Sequence, residues 1–247
     1  MNRRMGSKWR GTAGWSSMVI FLFMAMVISQ VTTAYANDKQ ETEQLVEKAR
    51  QTMESFLSDE NMGGFQDLLK KAHGVLISSQ LLKGAFVVGV SGGNAVLLVR
   101  GKKAEQWSGP AFYTIGGASF GLQIGGEASE VILLAMTERG VTSFLGNSFK
   151  LGGDAGVALG PVGIGASAAT ANLSADILSF SRSKGLYGGV SLDGAVVAVR
   201  DGLNEAYYGK KVTPSDIFVR QNVKNLEAIK LIEAVKKGAM EKPAGTD

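Results

Sequence analysis

The residues with the clearest catalytic spacing are Gly117-Ala118-Ser119-Phe120-Gly121, which match the pattern G-x-S-x-G. In α/β-hydrolases this pattern forms a nucleophile elbow, where a strained turn between a strand and a helix exposes the serine oxygen. The mechanism also needs an acidic residue and then a histidine later in the chain, so that the serine can lose its proton. The only histidine is His73, which precedes Ser119. A serine esterase that uses Ser119 is therefore retained only as an alternative function.

A second glycine pattern, in residues 163–168, fits the loose G-x-G-x-x-A form of a dinucleotide-binding loop. That loop must follow a strand and open a helix, whereas the surrounding glycine- and alanine-rich residues favour strand. With one histidine and no cysteine, the chain lacks the usual zinc ligands. The acidic residues are scattered, so no carboxylate pair can be nominated for glycoside chemistry. We expect no catalytic residue, no cofactor and no metal.

Basic residues near tyrosines are the remaining candidates for binding chemistry. Arg182 and Lys184 precede a glycine-rich stretch, and Lys210 and Lys211 follow the Tyr207-Tyr208 pair. Cations collected on one rim can bind anionic lipid head groups through charge-assisted hydrogen bonds. These four side chains are the candidate head-group contacts, and the alternative is that they are ordinary solvated side chains of loops.

Residues 1–36 have the pattern of a secretory signal peptide. Basic residues precede the apolar core Met18–Ile28, and Ala34-Tyr35-Ala36 offers a small-x-small site for cleavage after Ala36. The alternative is an uncleaved N-terminal anchor. This segment contains four of the 26 basic residues and none of the 22 acidic ones, so the chain from Asn37 has a formal net charge of zero. Nucleic-acid binding needs a strongly basic surface and is therefore not expected. We expect an exported protein, either periplasmic or secreted.

Hydrophobic spacing predicts helices at both ends of the domain. Residues 38–57 have a mainly acidic face opposite an apolar one, which consists of Leu45, Ala49, Met53, Phe56 and Leu57. Phe65–Ala72 predicts a second short helix. Near the other end, Thr213-Pro214-Ser215-Asp216 is a helix start, and Asn222–Lys237 has another apolar stripe.

Between these helices, short apolar runs alternate with glycines, and 24 of the 33 glycines lie from Gly84 to Gly202. This spacing predicts short strands, namely Val75–Ile77, Ala85–Val90, Ala95–Arg100, Ala111–Ile115, Ser119–Ile124, Val131–Met136, Lys150–Leu159, Val162–Ala171 and Ala175–Ser181. Residues 91–94 are predicted to join two of them as a loop. Asp193-Gly194 predicts a hairpin between Leu186–Leu192 and Ala195–Val199, and Thr137 is predicted to cap a short helix reaching Leu145.

The predicted fold class is α+β, with a strongly curved or barrel-like, mainly antiparallel β-sheet of many short glycine-rich strands and flanking N- and C-terminal helices. We expect one domain over residues 37–240. It divides into N-terminal helices in 37–73, a β body in 74–209 and C-terminal helices in 210–238. A loose tail is expected over 239–247.

Four motifs, in this order along the chain, resemble the signatures of the SYLF domain family. The first and second are W-S-x-P, with Trp107 and Pro110, and S-F-G-x-Q-x-G, with Ser119, Phe120, Gly121 and Gln123. The third and fourth are S-K-G-L-Y-x-G, with Lys184, Gly185, Leu186 and Tyr187, and N-x-x-Y-Y-G, with Asn204, Tyr207 and Tyr208. The similarity extends from about Phe65 to Leu231.

This resemblance implies a non-enzymatic lipid-binding module. Eukaryotic members of the family bind phosphoinositide membranes through an N-terminal amphipathic helix and a basic surface, and some also bind actin. The resemblance places Arg182 and Lys184 on the basic surface and gives Ser119 a non-catalytic place in a family motif. We therefore expect an exported bacterial-type member that binds phosphoinositides or other anionic phospholipids. The alternative is a structural or protein-interaction domain of the cell envelope.

Overall fold

The structure is a computed structural model that describes residues 38–101, 106–162, 174–183, 186–187 and 192–240. For residues 85–88, 119–125 and 186–187 it describes the backbone alone. The predicted signal peptide with Ala36, the glycine pattern at 163–168, Lys184 and Gly185 all lie outside the described residues. So do most of the predicted strand Val162–Ala171 and the tail from residue 241.

Helices lie at both ends of the described chain, and strands lie between them. The helices are α1 (38–57), α2 (Gly63–Leu69), α3 (Glu138–Ser143), α4 (Asp201–Tyr208), α5 (Pro214–Phe218) and α6 (Ile229–Met240), with short 3-10 turns at Glu60–Met62 and Leu226–Ala228. The strands are β1 (Gly74–Arg100), β2 (Trp107–Ala135), β3 (Ser148–Lys150), β4 (Val157–Leu159), β5 (Ile177–Ser183), β6 (Leu186–Tyr187) and β7 (Val196–Val199).

The centre of the fold is a long antiparallel ribbon of β1 and β2. The two strands pair from Gly74 opposite Ala135 to Arg100 opposite Trp107. β1 also doubles back on itself, because the Arg100 N–H donates to the His73 carbonyl at 2.8 Å. Further along, Ser78 Oγ donates to the Asn94 carbonyl at 2.9 Å. The two halves of β1 therefore lie side by side, which curls the ribbon into the body of the sheet.

Shorter strands extend this ribbon on both sides. β7 pairs with the first half of β2 and with β3, and β5 pairs with the second half of β2. β4 runs parallel to β5, so the sheet is mixed. The predicted α+β class, with a strongly curved sheet and flanking helices, is confirmed.

Six of the predicted short strands, those between residues 75 and 136, are instead segments of β1 and β2. The predicted loop at residues 91–94 is strand, with Gly92 opposite Gly116. Gly93 has to lie there without a side chain, because a Cβ atom on it would lie 2.3 Å from the Gln80 carbonyl oxygen. Bends are accommodated by register shifts, for example between Ser78 and Leu81. Such bulges bend a strand without ending it.

The predicted hairpin around Asp193-Gly194 is wrong, although the turn itself is present. The Ala195 N–H donates to the Leu192 carbonyl at 2.9 Å, and Gly194 has a φ of +83°. Among the described residues, however, β6 pairs with β5, whereas β7 lies between β2 and β3. Both edges of β7 are thus occupied by strands from elsewhere in the chain.

The helix α4 ends with the Tyr207-Tyr208 pair and lies in a region predicted as part of the β body. The Arg200 N–H donates to the Phe112 carbonyl at 2.9 Å, which fixes the start of this helix on β2. Gly209 ends it in the left-handed conformation, with a φ of +68°.

The other helix predictions are largely confirmed. Ala49, Met53 and Phe56 of α1 are fully buried. Thr137 caps α3 by accepting a hydrogen bond from the Gly140 N–H at 3.0 Å. Thr213 and Asp216 form a reciprocal capping box at the start of α5. The helix predicted over Asn222–Lys237 begins later than predicted, because the Asn225 side chain caps the 3-10 turn that leads into α6.

Apolar side chains cover both faces of the sheet. One cluster, with Phe56, Phe65 and Phe180, lies under α1, α2 and α6, and the other contains Tyr113, Phe144 and Phe149. α1 and α6 pack side by side and run parallel. Glu47 lies near Lys230, whereas Leu57 lies against Gly238, where a Cβ would be 2.4 Å from Leu57 Cδ2. Within the described ranges, no helix is long and apolar enough to span a membrane.

Candidate functional site

The first and the last of the four motifs meet in one contact between α4 and β2. Asn204 is fully buried, and its Oδ1 accepts a hydrogen bond from the Phe112 N–H at 2.9 Å. Tyr208 Oη donates to the Pro110 carbonyl at 2.7 Å. Tyr207 packs edge-on against Phe112, with ring centroids 5.1 Å apart. These signature residues therefore fix α4 on the sheet.

Trp107 lies beside Arg100, whose guanidinium group also hydrogen-bonds to the end of α2. Arg100 lies over the Trp107 ring at 4.7 Å from its centroid. Its Nε and Nη2 donate to the carbonyls of Ala72 and Leu69, each at 2.8 Å. The charge therefore stabilises the end of α2, where carbonyls lack helical partners. Burial lowers the pKa of Arg100.

The side chain of Arg182 is held among groups of opposite charge. Its Nε donates to Glu130 Oε2 at 2.8 Å, and Nη2 also contacts that oxygen. Nη2 donates to Ser55 Oγ at 2.7 Å, and Nη1 lies 3.6 Å from Asp59 Oδ2. The guanidinium also lies over the Phe56 ring, 5.1 Å from its centroid. Arg182 therefore ties α1, and Asp59 just beyond its end, to β2 and β5.

A polar groove of about 590 Å³ opens beside Arg182, between α1 and the sheet. Its floor includes Thr52, Ser129 and Glu130, and Thr52 Oγ1 donates to Glu130 Oε1 at 3.2 Å. We call it the α1 groove.

Lys210 and Lys211 lie elsewhere, in the loop after α4, and both are exposed. Asn225 Nδ2 donates to the Tyr207 carbonyl at 2.9 Å, which brings Lys224 and Leu226 alongside this end of α4. Lys224 is exposed, and 79% of the Leu226 surface is accessible. Within the described part of the chain, none of these three lysines makes an ion pair. We call Lys210, Lys211, Lys224 and Leu226 the basic corner.

The three predicted head-group cations that the structure describes are thus divided between two places. Lys210 and Lys211 are neighbours in the basic corner, Arg182 faces the α1 groove, and Lys184 lies outside the described residues. The sequence reasoning missed Glu130 and Asp59 as partners of Arg182, and it also missed Lys224 and Leu226. Ser55, Phe56 and Asp59 lie close together in sequence at the end of α1, but nothing in the sequence predicts that they contact Arg182 of β5.

The G-x-S-x-G residues lack the backbone of a nucleophile elbow. Residues 117–121 lie within β2, where Ser119 is opposite Gly89 of β1. An elbow requires a turn from a strand into a helix. His73 lies immediately before β1, where its N–H donates to the Ala135 carbonyl at 2.8 Å. The motif is therefore part of a continuous strand.

These features define an α+β domain in which a curled sheet is held by buried signature residues and presents a polar groove and a basic corner. A family model described as "Ysc84: Las17-binding protein actin regulator" matches residues 116–238. The chain belongs to this family, the SYLF domain family, as its motifs indicated.

Curated relatives support the same assignment. The chain is 32% identical over 175 residues to LAS seventeen-binding protein 3 of Saccharomyces cerevisiae, a match that covers 67% of this chain and 38% of that protein. It is 31% identical over 168 residues to SH3 domain-containing YSC84-like protein 1 of Homo sapiens, covering 67% of this chain and 48% of that protein. The match to the Xenopus laevis protein of the same name is 33% identical over 145 residues, covering 58% and 43%. The chain thus spans less than half the length of each of these relatives.

Proposed function

We propose that this protein is an exported, non-enzymatic domain that binds anionic phospholipid surfaces through the basic corner. The observation that carries the proposal is the hydrogen bond from Asn225 to the Tyr207 carbonyl, which brings the segment with exposed Lys224 and Leu226 to the end of α4, beside the loop with exposed Lys210 and Lys211. On its other side, Leu226 borders a small pocket that also includes Glu43, Glu47 and Lys230. Cations next to an apolar side chain suit the interface of an anionic bilayer, where head groups attract the charges and the acyl boundary accepts the leucine.

The expected strength follows from the composition of the corner. A lysine near an anionic membrane surface contributes about 1 kcal/mol, and burial of a leucine side chain contributes roughly 1.5–3 kcal/mol. Together these contributions support reversible peripheral binding. Phosphoinositides and other anionic phospholipids share the phosphate chemistry that this corner would contact, and export depends on the predicted signal peptide of residues 1–36.

Arg182 has a different place in this proposal from the one that the sequence suggested. Because Glu130 and Asp59 balance its charge, we assign it to holding α1 on the sheet. Lys184 is retained as a further head-group contact.

Flotation of the purified protein with vesicles tests the proposal. We expect recovery with phosphatidylcholine vesicles that contain phosphatidylglycerol, little recovery with phosphatidylcholine alone, and a decline as salt screens the charges. Replacing both Lys210 and Lys211 by Glu should abolish most of this recovery. The same charge change at Lys71 and Lys150, which are exposed on other elements, should have a smaller effect. Equal recovery with anionic vesicles, neutral vesicles and no vesicles would refute lipid binding.

A protein partner is the second candidate, and the names of the relatives favour it. The yeast relative is named for binding LAS seventeen, and the family description names an actin regulator. A partner of actin type predicts co-sedimentation of this protein with purified actin filaments in the absence of lipid. An esterase that uses Ser119 predicts hydrolysis of p-nitrophenyl acetate that Ser119→Ala abolishes, and we expect none.

A further inference from the structure

The α1 groove has the size and construction of a small-molecule site. Its volume of about 590 Å³ lies within the range of about 300–1,000 Å³ that is usual for ligand pockets. Such pockets are mostly apolar, whereas Ala128 is the only apolar residue among those that line this groove in the described part of the chain. The side chains that line the groove therefore favour a polar ligand.

The floor of the groove is a connected hydrogen-bond network. Thr52, of which 2% is exposed, donates to one oxygen of Glu130, and Arg182 donates to the other. Arg182 also donates to Ser55 at 2.7 Å. Side chains that are already fixed by one another lose little freedom when a ligand binds, so this floor is preorganised.

The rim of the α1 groove supplies both hydrogen-bond donors and hydrogen-bond acceptors. Lys48 and Gln80 are exposed at the groove, on α1 and β1, and neither side chain hydrogen-bonds to another described residue. The ammonium group is a donor, and the amide is both a donor and an acceptor. Glu130, which is partly exposed, adds a carboxylate acceptor.

The charges and the backbone exclude other classes of ligand. Lys48 and Arg182 are balanced by Glu130 and by Asp59, which contacts Arg182. An anion therefore gains no net attraction. A peptide strand would need a free sheet edge, but the backbone at Gln80 is already packed against Gly93. We propose that the α1 groove binds a neutral, hydroxyl-rich ligand, that is, a sugar or polyol.

Titration of the ¹⁵N-labelled protein, followed by NMR, tests this proposal with defined probes. Glucose, trehalose and sorbitol are the neutral polyols, and inorganic phosphate and tetra-alanine represent the excluded classes. We expect saturable shifts of amides around Thr52, Gln80 and Ser129 with at least one polyol, with a dissociation constant in the millimolar range. Absence of saturable shifts with all three, or a stronger response to phosphate or the peptide at the same amides, would overturn the proposal.

Two variants connect the response to the groove. Gln80→Ala should weaken polyol binding about tenfold, as expected for loss of one or two hydrogen bonds. Gln44→Ala changes an exposed glutamine of α1 that does not line the groove and should bind like the wild type. Equal dissociation constants of Gln80→Ala and Gln44→Ala for the polyol would also overturn the proposal. The protein with Lys210 and Lys211 both changed to Glu should keep its polyol binding, so failure here is distinguishable from failure of lipid binding.

Discussion

Replacing Asn204 by leucine should destabilise the domain strongly while leaving its surface unchanged. The asparagine is fully buried and accepts a hydrogen bond from the Phe112 N–H at 2.9 Å, and its Nδ2 donates more weakly to the Phe112 carbonyl at 3.4 Å. Leucine has a similar volume but no acceptor, so the Phe112 N–H would remain buried without a partner. Such an orphaned donor costs about 1–3 kcal/mol. For a domain of this size, each kcal/mol lowers the melting temperature by about 2–4 °C.

The assay is thermal unfolding followed by circular dichroism, with Asn222→Leu as the matched control. Asn222 is exposed in the segment after α5, and an exposed substitution of this kind should change stability by no more than about 0.5 kcal/mol. Flotation at a temperature where both variants are folded should give the wild-type recovery for each. Equal melting temperatures for the two variants would refute the assignment of Asn204 to the α4–β2 contact. Loss of lipid binding by folded Asn204→Leu would show that the motif has a more direct function.

Three further predictions concern the sheet, the Arg182 contacts and acid stability. Gly93→Ala should lower the urea midpoint by an amount equivalent to about 1–3 kcal/mol, because the new Cβ would lie 2.3 Å from the Gln80 carbonyl oxygen. The control Gly92→Ala should be close to neutral, because the nearest neighbour of its Cβ would be 3.9 Å away. Equal urea midpoints for the two variants would contradict the doubling of β1. Arg182→Met removes the ionic partner of Glu130, which keeps its hydrogen bond from Thr52, and one of the partners of Asp59. Because the side chains are partly exposed (18% for Arg182 and 30% for Glu130), we expect a loss of about 2–3 kcal/mol, below the usual cost for a fully buried pair. In the same variant, hydrogen exchange should accelerate in residues 38–57, whereas Arg220→Met, at a side chain that is 65% exposed, should change neither measurement appreciably. The hydrogen bond from Thr137 holds the pKa of Asp176 below its ordinary value of 3.8, aided by the Gly156 N–H and Arg139 and opposed by burial. The stabilising contribution of Asp176 is therefore complete above about pH 4 and is lost as the pH falls through the lower folded-state pKa. In urea unfolding, wild type should have a larger free energy of unfolding than Asp176→Asn, and this difference should shrink at acid pH. A difference that stays constant with pH would argue against a stabilising role of this carboxylate.

Local signals in the sequence predicted the parts of the fold that depend on local chemistry. Thr137 and Thr213 cap helices because their hydroxyls can reach a backbone N–H three residues later. The buried face of α1 follows from apolar residues at helical spacing. The turn at Asp193-Gly194 is present because glycine tolerates a positive φ.

The errors arise where distant contacts decide the structure. Gly92 and Gly93 are typical of a loop, but they remain in β1 because the other half of the same strand packs against them. α4 has weak helix formers, including Gly202 and two tyrosines, and its position depends on Asn204 reaching Phe112. Arg182 was predicted to be a cation available for head groups for a similar reason. Its partner Glu130 lies 52 residues away in sequence, so the pairing is not visible there.

The parallel packing of α1 against α6 has a consequence for the order of events during biosynthesis. α1 is the first described helix to be made and α6 is the last, and Val46 and Ala49 share a buried cluster with Leu231 and Val235. Since domains fold as units as they are synthesised, this core stays incomplete until α6 has left the ribosome. The N-terminal helix therefore keeps part of its apolar face uncovered until the last described helix is made.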